Sequence, residues 1–284
     1  MIYNHTDILD HLDAMIFQED TTRCFNYFKM DTSCRNVNEA CRKAMVTWMT
    51  HVQNTLSLSP ETIWIAMSFF DRYLSSGRGN AEEVLKSKCM FQLAAITAFY
   101  TAVKIYEPVV LGIDMLIQIC RGMYTKSDIV EMEKNILSAL DWRVSSHTPM
   151  DFARYLLELL PGQAPSYDSD GLLEMCQKQV DLAVTDIYFS CCTPSVVGIS
   201  CLASSLTQSY SLSLSEKQAL WVTLSRLCHF DLSPKEVIAA RQRLLSYVSP
   251  YKPNSVSKLA TLSQSNTSVS SSSPICVMQT ARQA

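Results

Sequence analysis

The sequence predicts an all-α protein whose helices form two sets of about 100 residues each. Hydrophobic residues make up 48% of its 284 residues, while only 7 glycines and 10 prolines supply tight turns. Apolar residues recur along the chain at the spacing of one helix face. The run from Cys89 to Val103 is apolar on every helical face, which is typical of a central buried helix.

The first predicted helix lies within residues 1–35 and carries Ile8, Leu9, Leu12, Met15 and Ile16 on one side. A longer helix begins near Val37. Its apolar residues follow the i, i+3, i+4, i+7 pattern through Val37, Ala40, Cys41, Ala44, Met45, Trp48, Met49 and Val52. Both patterns predict one-sided helices that pack against a core.

Four further helices complete the first set. Ser59-Pro60-Glu61 gives a helix start, with a cap, a first-turn proline and an early acid. The central helix is predicted over about 85–107, where Pro108 stops it. Its apolar run is shorter than the roughly 20 residues that cross a bilayer. Helices over about 112–121 and from about 127 to 140 bring the total to five between residues 37 and 141.

A second set of five helices follows. Thr148-Pro149 starts a helix that runs to Leu160, and the segment 162–171 is a loop by composition. The remaining helices are predicted at about 172–190, 194–208, 214–229 and 233–248. The predicted units are therefore 1–35, 36–145, 146–250 and a tail, 251–284.

The tail after Pro253 is rich in Ser and Thr, and its stretch 254–273 contains no acidic residue. Such a composition predicts disorder. Ser273 precedes Pro274 and is a minimal site for a proline-directed kinase, although Ser-Pro pairs are common by chance.

Charge and cysteine usage exclude several function classes. The net charge of −3 argues against nucleic acid as the main partner. Most of the 11 cysteines lie in apolar stretches without a CxxC pair, so we expect packing thiols, no metal and no cofactor. The N-terminus lacks the basic and apolar regions of a signal peptide, so we expect an intracellular protein.

Catalytic patterns are absent from the sequence, including phosphate-binding loops, HExxH and GxSxG. We therefore expect a non-catalytic protein. Four residues break local rules: Arg42 and Trp48 in the second helix, Lys104 at the end of the central helix, and Glu133. Each has an ordinary explanation, such as a helix-dipole contact for Lys104.

Taken together, these residues lie in segments that resemble the cyclin box of the cyclins. The segments are CRKAMVTWMTHV (41–52), SPETIWIAMSFFDRYLS (59–75), FQLAAITAFYTAVKIYE (91–107), YTKSDIVEMEKNILSALDWRV (124–144) and TPMDF (148–152). The likeness is greatest to D-type cyclins, with A- and B-types next, and it covers about 37–250. It implies two tandem five-helix cyclin folds, an N-terminal cyclin box and a C-terminal cyclin fold.

The resemblance implies a function and its residues. Cyclins bind a cyclin-dependent kinase and reposition its regulatory helix. The family's two charged kinase contacts fall on Lys104 and Glu133, and by family position Ile105, Leu137 and Trp142 supply apolar contact area. The chain is thus expected to be a regulatory kinase subunit acting in G1 or G1/S control, in nucleus and cytoplasm.

The resemblance also implies a patch that docks substrates or inhibitors bearing an Arg-x-Leu motif. Its positions here are Cys41, Ala44, Met45, Trp48, Phe91 and Gln92. Cys41 and Ala44 replace larger family residues, and His51 stands where an acid normally pairs with the ligand's Arg. We therefore expect weak or altered docking.

Other functions stay open at this stage. A transcriptional or nutrient-sensing cyclin would serve a different kinase. A cyclin-fold adaptor that binds DNA without a kinase is disfavoured by the net charge of −3. A helical enzyme would turn over substrate without any partner.

Overall fold

The computed structural model describes residues 5–19, 23–29, 36–144, 147–160, 168–210, 212–228 and 234–248. All regular elements in these segments are helices, and none is a strand, which confirms the all-α prediction. The predicted boundary at 145/146, most of the loop 162–171 and the tail with Ser273 lie outside the described residues.

The first region contains seven α-helices and one short 3₁₀ turn at Tyr27–Lys29. The helices are α1 His5–Glu19, α2 Glu39–Leu56, α3 Glu61–Ser76, α4 Ala81–Lys86, α5 Lys88–Tyr106, α6 Ile113–Ile119 and α7 Lys126–Ala139. The described part thus has six helices between residues 37 and 141 rather than the predicted five. The extra one arises because Ser87 is extended and caps α5 by accepting a hydrogen bond from the Met90 N–H.

The second region contains six α-helices within the described residues. They are α8 Pro149–Glu158, α9 Ser169–Ala183, α10 Ile187–Ser190, α11 Pro194–Gln208, α12 Leu214–Leu227 and α13 Lys235–Val248. The single helix predicted over 172–190 is two helices here. Asp186 separates them, since its extended backbone and its bond from the Tyr188 N–H start α10 afresh.

Helix starts follow capping chemistry that is visible in the sequence. Thr125, Thr148 and Ser213 each form a capping box with an acidic residue three positions later. Asn38 caps α2 through a bond from the Cys41 N–H. Each cap gives an orphan N–H of the first turn an acceptor, which fixes where the helix begins.

Helix α5 is the centre of the first set and packs against α2, α3, α4 and α7. Its residues from Phe91 to Val103 are all buried. At 19 residues it is long and apolar enough to cross a membrane, so the expectation from its apolar run that it is too short is wrong. Most of it is enclosed by protein, however, as in the core helix of a globular protein.

Helix α11 has the same central place in the second set, where it packs against α8, α9 and α13. Gly198 lets α11 approach α8 closely, since an added Cβ would lie 2.4 Å from the Pro149 carbonyl oxygen. The first helix of the chain, α1, also packs on α8 and α11 rather than on the first set.

A buried carboxylate fastens α1 to the second set. Glu19 accepts hydrogen bonds from the backbone N–H of Ser195 at 2.5 Å and from its hydroxyl at 2.6 Å. These donors lie in the first turn of α11, whose N-cap Thr193 makes no capping bond through its own side chain. Burial raises the pKa of Glu19 to about 7, although the bonds from Ser195 and Thr193 oppose that rise.

Candidate functional site

Lys104 and Glu133 form an ion pair across two neighbouring helices. Lys104 lies in the last turn of α5, and its Nζ is 2.6 Å from Oε1 and 2.8 Å from Oε2 of Glu133 on α7. Thr101 donates a hydrogen bond to the same carboxylate at 2.8 Å, and Nζ lies 4.7 Å from the centre of the Tyr100 ring. The structure thus joins two residues that stand 29 positions apart in the sequence.

This pair is partly open to solvent. The side chain of Lys104 is 38% exposed and that of Glu133 is 16% exposed. An ion pair at this exposure contributes only about 0–1 kcal/mol to stability. Its fixed geometry is therefore more informative than its energy, because both charged groups are held in place and can still reach a partner.

Apolar side chains lie around the C-terminal end of α5, where Lys104 forms its ion pair with Glu133. Of the three predicted apolar contacts, Ile105 and Trp142 are exposed and Leu137 is half-buried. Sequence reasoning missed three more exposed apolar residues that directly follow Lys104, namely Tyr106, Val109 and Val110. The sequence did contain a signal for these residues: in the run IYEPVV (105–110), apolar residues flank the proline that ends the helix.

The turn after α7 holds Trp142 outward. Asp141 and Trp142 both have left-handed backbones, with φ of 51° and 59°, which is costly for residues with a Cβ. The Tyr106 hydroxyl donates to the Val144 carbonyl at 2.7 Å, and Arg78 pairs with Asp141 at 2.8 Å. Contacts from α5 and from the loop that follows α3 thus fix a strained turn that leaves the Trp142 indole 67% exposed.

Arg42, which the sequence singled out, lies in the joint between the two sets and not on this surface. It is 1% exposed and binds Asp71 through Nε at 3.0 Å and Nη2 at 2.7 Å. It also donates to the Val184 carbonyl at 2.8 Å and to the Ser190 hydroxyl at 2.7 Å. Burial alone would lower the pKa of Arg42, but the charge and hydrogen bonds of Asp71 outweigh it and raise that pKa.

The predicted docking patch is mostly covered. Only Ala44 of its six residues is partly exposed; Cys41, Met45, Trp48, Phe91 and Gln92 are all buried. The Trp48 ring packs edge-on against Phe99 at 5.9 Å. Trp48 Nε1 and Gln92 Nε2 are buried without a hydrogen-bond partner among the described residues. These five side chains therefore belong to the core, and the Trp48 and Gln92 N–H groups are unused donors beneath the surface.

The side chains that could bind a metal or act as a nucleophile are the His, Cys, Asp and Glu residues of the described segments. No group of three or more His, Cys, Asp or Glu side chains in these segments could hold a metal ion. Burial raises the pKa of Cys120 and of Cys192 to about 12 and that of Cys176 to about 11, which keeps these thiols protonated at neutral pH. Glu19 has a raised pKa but is engaged at the start of α11.

Comparison with known proteins agrees with this architecture. Residues 10–145 match the family model "Cyclin, N-terminal domain". Cyclin-B2-2 of Oryza sativa subsp. indica is 34% identical over 126 residues, which are 44% of this chain and 28% of that protein. G1/S-specific cyclin-D1 of Rattus norvegicus is 28% identical over 198 residues, 69% of this chain and 63% of that protein.

A solved structure shows the same fold. A viral cyclin from herpesvirus saimiri matches with a TM-score of 0.65 at 17% identity, over 84% of this chain and 96% of that one. Residues 10–145 are therefore assigned to the cyclin N-terminal domain family, and the wider chain shares the fold of the viral cyclin. The chain spans less than two thirds of the length of either curated relative. Because B-, A- and D-type cyclins all match, the D-type ranking stays a prediction.

Proposed function

We propose that this chain is a non-catalytic regulatory subunit that binds and activates a cyclin-dependent kinase, in G1 or G1/S control. The observation that carries the proposal is the Lys104–Glu133 pair at the edge of an exposed apolar surface. Cyclins of several types are among its relatives, one of them named as G1/S-specific.

The surface has the composition of a protein-binding site. We define it as Ile105, Tyr106, Val109, Val110, Leu137 and Trp142 with the ion pair, and call it the α5–α7 surface. Exposed apolar residues of this size in one place mark an interaction surface. The two charges would fix the partner's register through hydrogen bonds, while the apolar side chains supply buried area.

The main test compares two substitutions with a matched control. We expect Lys104→Ala and Glu133→Ala to weaken kinase binding by about 2–5 kcal/mol, because each leaves a charged group unpaired at the interface. Binding is measured by calorimetry with purified cyclin-dependent kinases, and activation by phosphate transfer to a peptide.

The control is Lys178→Ala, which removes an exposed lysine paired with Glu174 at 2.7 Å on α9. It should bind and activate like wild type. If Lys104→Ala and Glu133→Ala also behave like wild type while wild type activates a kinase, the assignment of these two residues is wrong. If wild type activates no kinase and instead binds DNA at physiological salt, the adaptor alternative is favoured.

The substrate-docking patch is proposed to act weakly. Its two unused donors, Trp48 Nε1 and Gln92 Nε2, would gain acceptors from the backbone of a bound peptide. Their burial and the exposed His51 oppose tight binding, since the patch must open and supplies no acid for the ligand's Arg. We expect affinity weaker than about 100 μM in a titration with an Arg-x-Leu peptide; low-micromolar binding would contradict this.

Two further proposals concern the protein in the cell. The chain is proposed to act in nucleus and cytoplasm, which imaging of the tagged full chain would test. Ser273, outside the described residues, is proposed as a phosphosite of a proline-directed kinase, to be checked by phosphopeptide mapping of wild type and Ser273→Ala.

A further inference from the structure

Arg72 is a buried cation without a counter-anion among the described residues. It lies on α3, is 6% exposed, and donates from Nη2 to the Arg143 carbonyl at 2.8 Å. Its Nη1 is buried and has no hydrogen-bond partner within the segments that the structure describes. Burying a guanidinium in this way is costly unless the charge is compensated.

The acidic and ionisable groups around Arg72 do not compensate it. Neighbouring Asp71 is engaged by Arg42 and by the Tyr27 hydroxyl, which donates at 2.8 Å. Burial raises the pKa of the Cys24 thiol far above its usual range, so this group is neutral at pH 7. The Tyr106 hydroxyl donates its hydrogen bond to the Val144 carbonyl at 2.7 Å.

Arg143, the charged residue that acts on Arg72, is also positive. Burial lowers the pKa of Arg72, and the positive charge of Arg143 lowers it further. Arg143 is exposed and follows Trp142 in the strained turn at the end of α7. The Arg72 guanidinium therefore lies beneath the backbone of the turn that carries the exposed Arg143, at the border of the α5–α7 surface.

We propose that Arg72 and Arg143 together receive an anionic side chain of the bound kinase, either an Asp or Glu carboxylate or a phosphorylated residue. This inference rests on the proposed function and adds a second polar anchor to it. Guanidinium groups bind carboxylate and phosphate through paired N–H donors, and Arg72 Nη1 is such an unused donor. The partner's anion would neutralise a charge that the free chain leaves unpaired.

The test is Arg143→Asp in the full chain, which places a carboxylate of the chain's own beside Arg72. We expect the free protein to melt about 2–5 °C higher, because the buried cation gains a partner. We expect the dissociation constant for the kinase to rise about tenfold, with weaker salt dependence, because the partner's anion now meets a carboxylate.

Arg226→Asp is the control, because it makes the same charge change at an exposed position on α12. It should leave the kinase affinity within about twofold of wild type. Phosphatase treatment of the kinase identifies the anion: a loss matching that of Arg143→Asp indicates a phosphate, and an unchanged affinity indicates a carboxylate.

Two results would overturn the inference. One is a kinase affinity of Arg143→Asp equal to that of wild type while Lys104→Ala is weakened, which leaves the proposed function standing. The other is an unchanged melting temperature of the free Arg143→Asp chain, which would mean that Arg72 needs no counter-anion. If no kinase binds wild type, the proposed function itself fails and this inference with it.

Discussion

The two helical sets share a plan but differ at the C-terminal end of their central helix. In the second set the end of α11 is hydrogen-bonded by its neighbours, because Lys217 donates to the Thr207 carbonyl at 2.9 Å and Arg241 to the Thr207 hydroxyl at 2.7 Å. In the first set α5 ends at Lys104 beside an exposed apolar surface. The two ends thus differ in chemistry: α11 receives polar hydrogen bonds from α12 and α13, whereas α5 carries an ion pair with α7 next to exposed apolar side chains.

The cores of the two sets also differ in chemistry. Helix α5 carries aromatic residues, and Phe91 packs edge-on against Phe70 at 4.9 Å. Helix α11 carries small residues and buried hydroxyls, as in the bond from Ser200 to the Val237 carbonyl at 3.2 Å. The first set therefore relies more on buried apolar area, and the second on close approach and internal hydrogen bonds.

Breaking the joint between the sets should have the largest effect on stability. Arg42→Ala leaves Asp71 buried without its cation and removes the bonds to Val184 and Ser190. We expect a loss of about 3–5 kcal/mol in the free energy of unfolding, measured in urea. The control Arg78→Ala removes an ion pair that is 58% exposed on both sides, and should cost less than about 1 kcal/mol. Equal losses in the two variants would refute the conclusion that Arg42 holds the two helical sets together.

Filling the close contact between α8 and α11 should have the next largest effect. In Gly198→Ala the new methyl group would lie 2.4 Å from the Pro149 carbonyl oxygen, a backbone atom that moves only with its helix. We expect a loss of about 2–3 kcal/mol, measured as a lower midpoint of thermal unfolding. Gly112→Ala is the comparison in the first set. There the new methyl group meets nothing within 4 Å, so the cost should stay below about 1 kcal/mol. A neutral Gly198→Ala would show that the second set does not depend on close approach.

The smallest effect should be a change in pH dependence from Glu19. Its folded pKa, about 7, lies above the ordinary value of 4.5, so the folded chain holds this proton more tightly than the unfolded chain. The contribution of this group to stability is full below about pH 4.5 and is lost as pH rises through 7. Glu19→Gln should remove that loss, on the order of 1–2 kcal/mol between pH 5 and 8, in unfolding experiments at both pH values. Parallel pH profiles for the two proteins would contradict the raised pKa.

Local chemistry was readable from the sequence. The helix start at Thr148-Pro149 and the apolar run within α5 predicted helix positions to within a few residues, since each acts on its own neighbours. The breaks at Ser87 and Asp186 were missed. Apolar periodicity continues through both, and only the backbone conformation and its capping bonds divide the helices.

The candidate site was predicted only in part. Family resemblance indicated Lys104, Glu133 and their apolar neighbours, and the structure brings the two charges together. The docking positions, such as Met45 and Phe91, were named without their burial, because helical spacing does not say which faces other helices cover. Arg72 was missed, since its unpaired state depends on what Asp71 and Arg143 do elsewhere.

The sequence by itself determined the all-α class, the central helix of the first set and the helix start at Thr148. These follow from periodicity and from contacts within one helical turn. Only the tertiary structure decided that Arg42 joins the sets, that α1 packs on the second set through Glu19, and that Arg72 is buried beside a second arginine. The physical reason is distance along the chain: the Arg42–Val184 contact joins residues 142 positions apart, which no local pattern encodes.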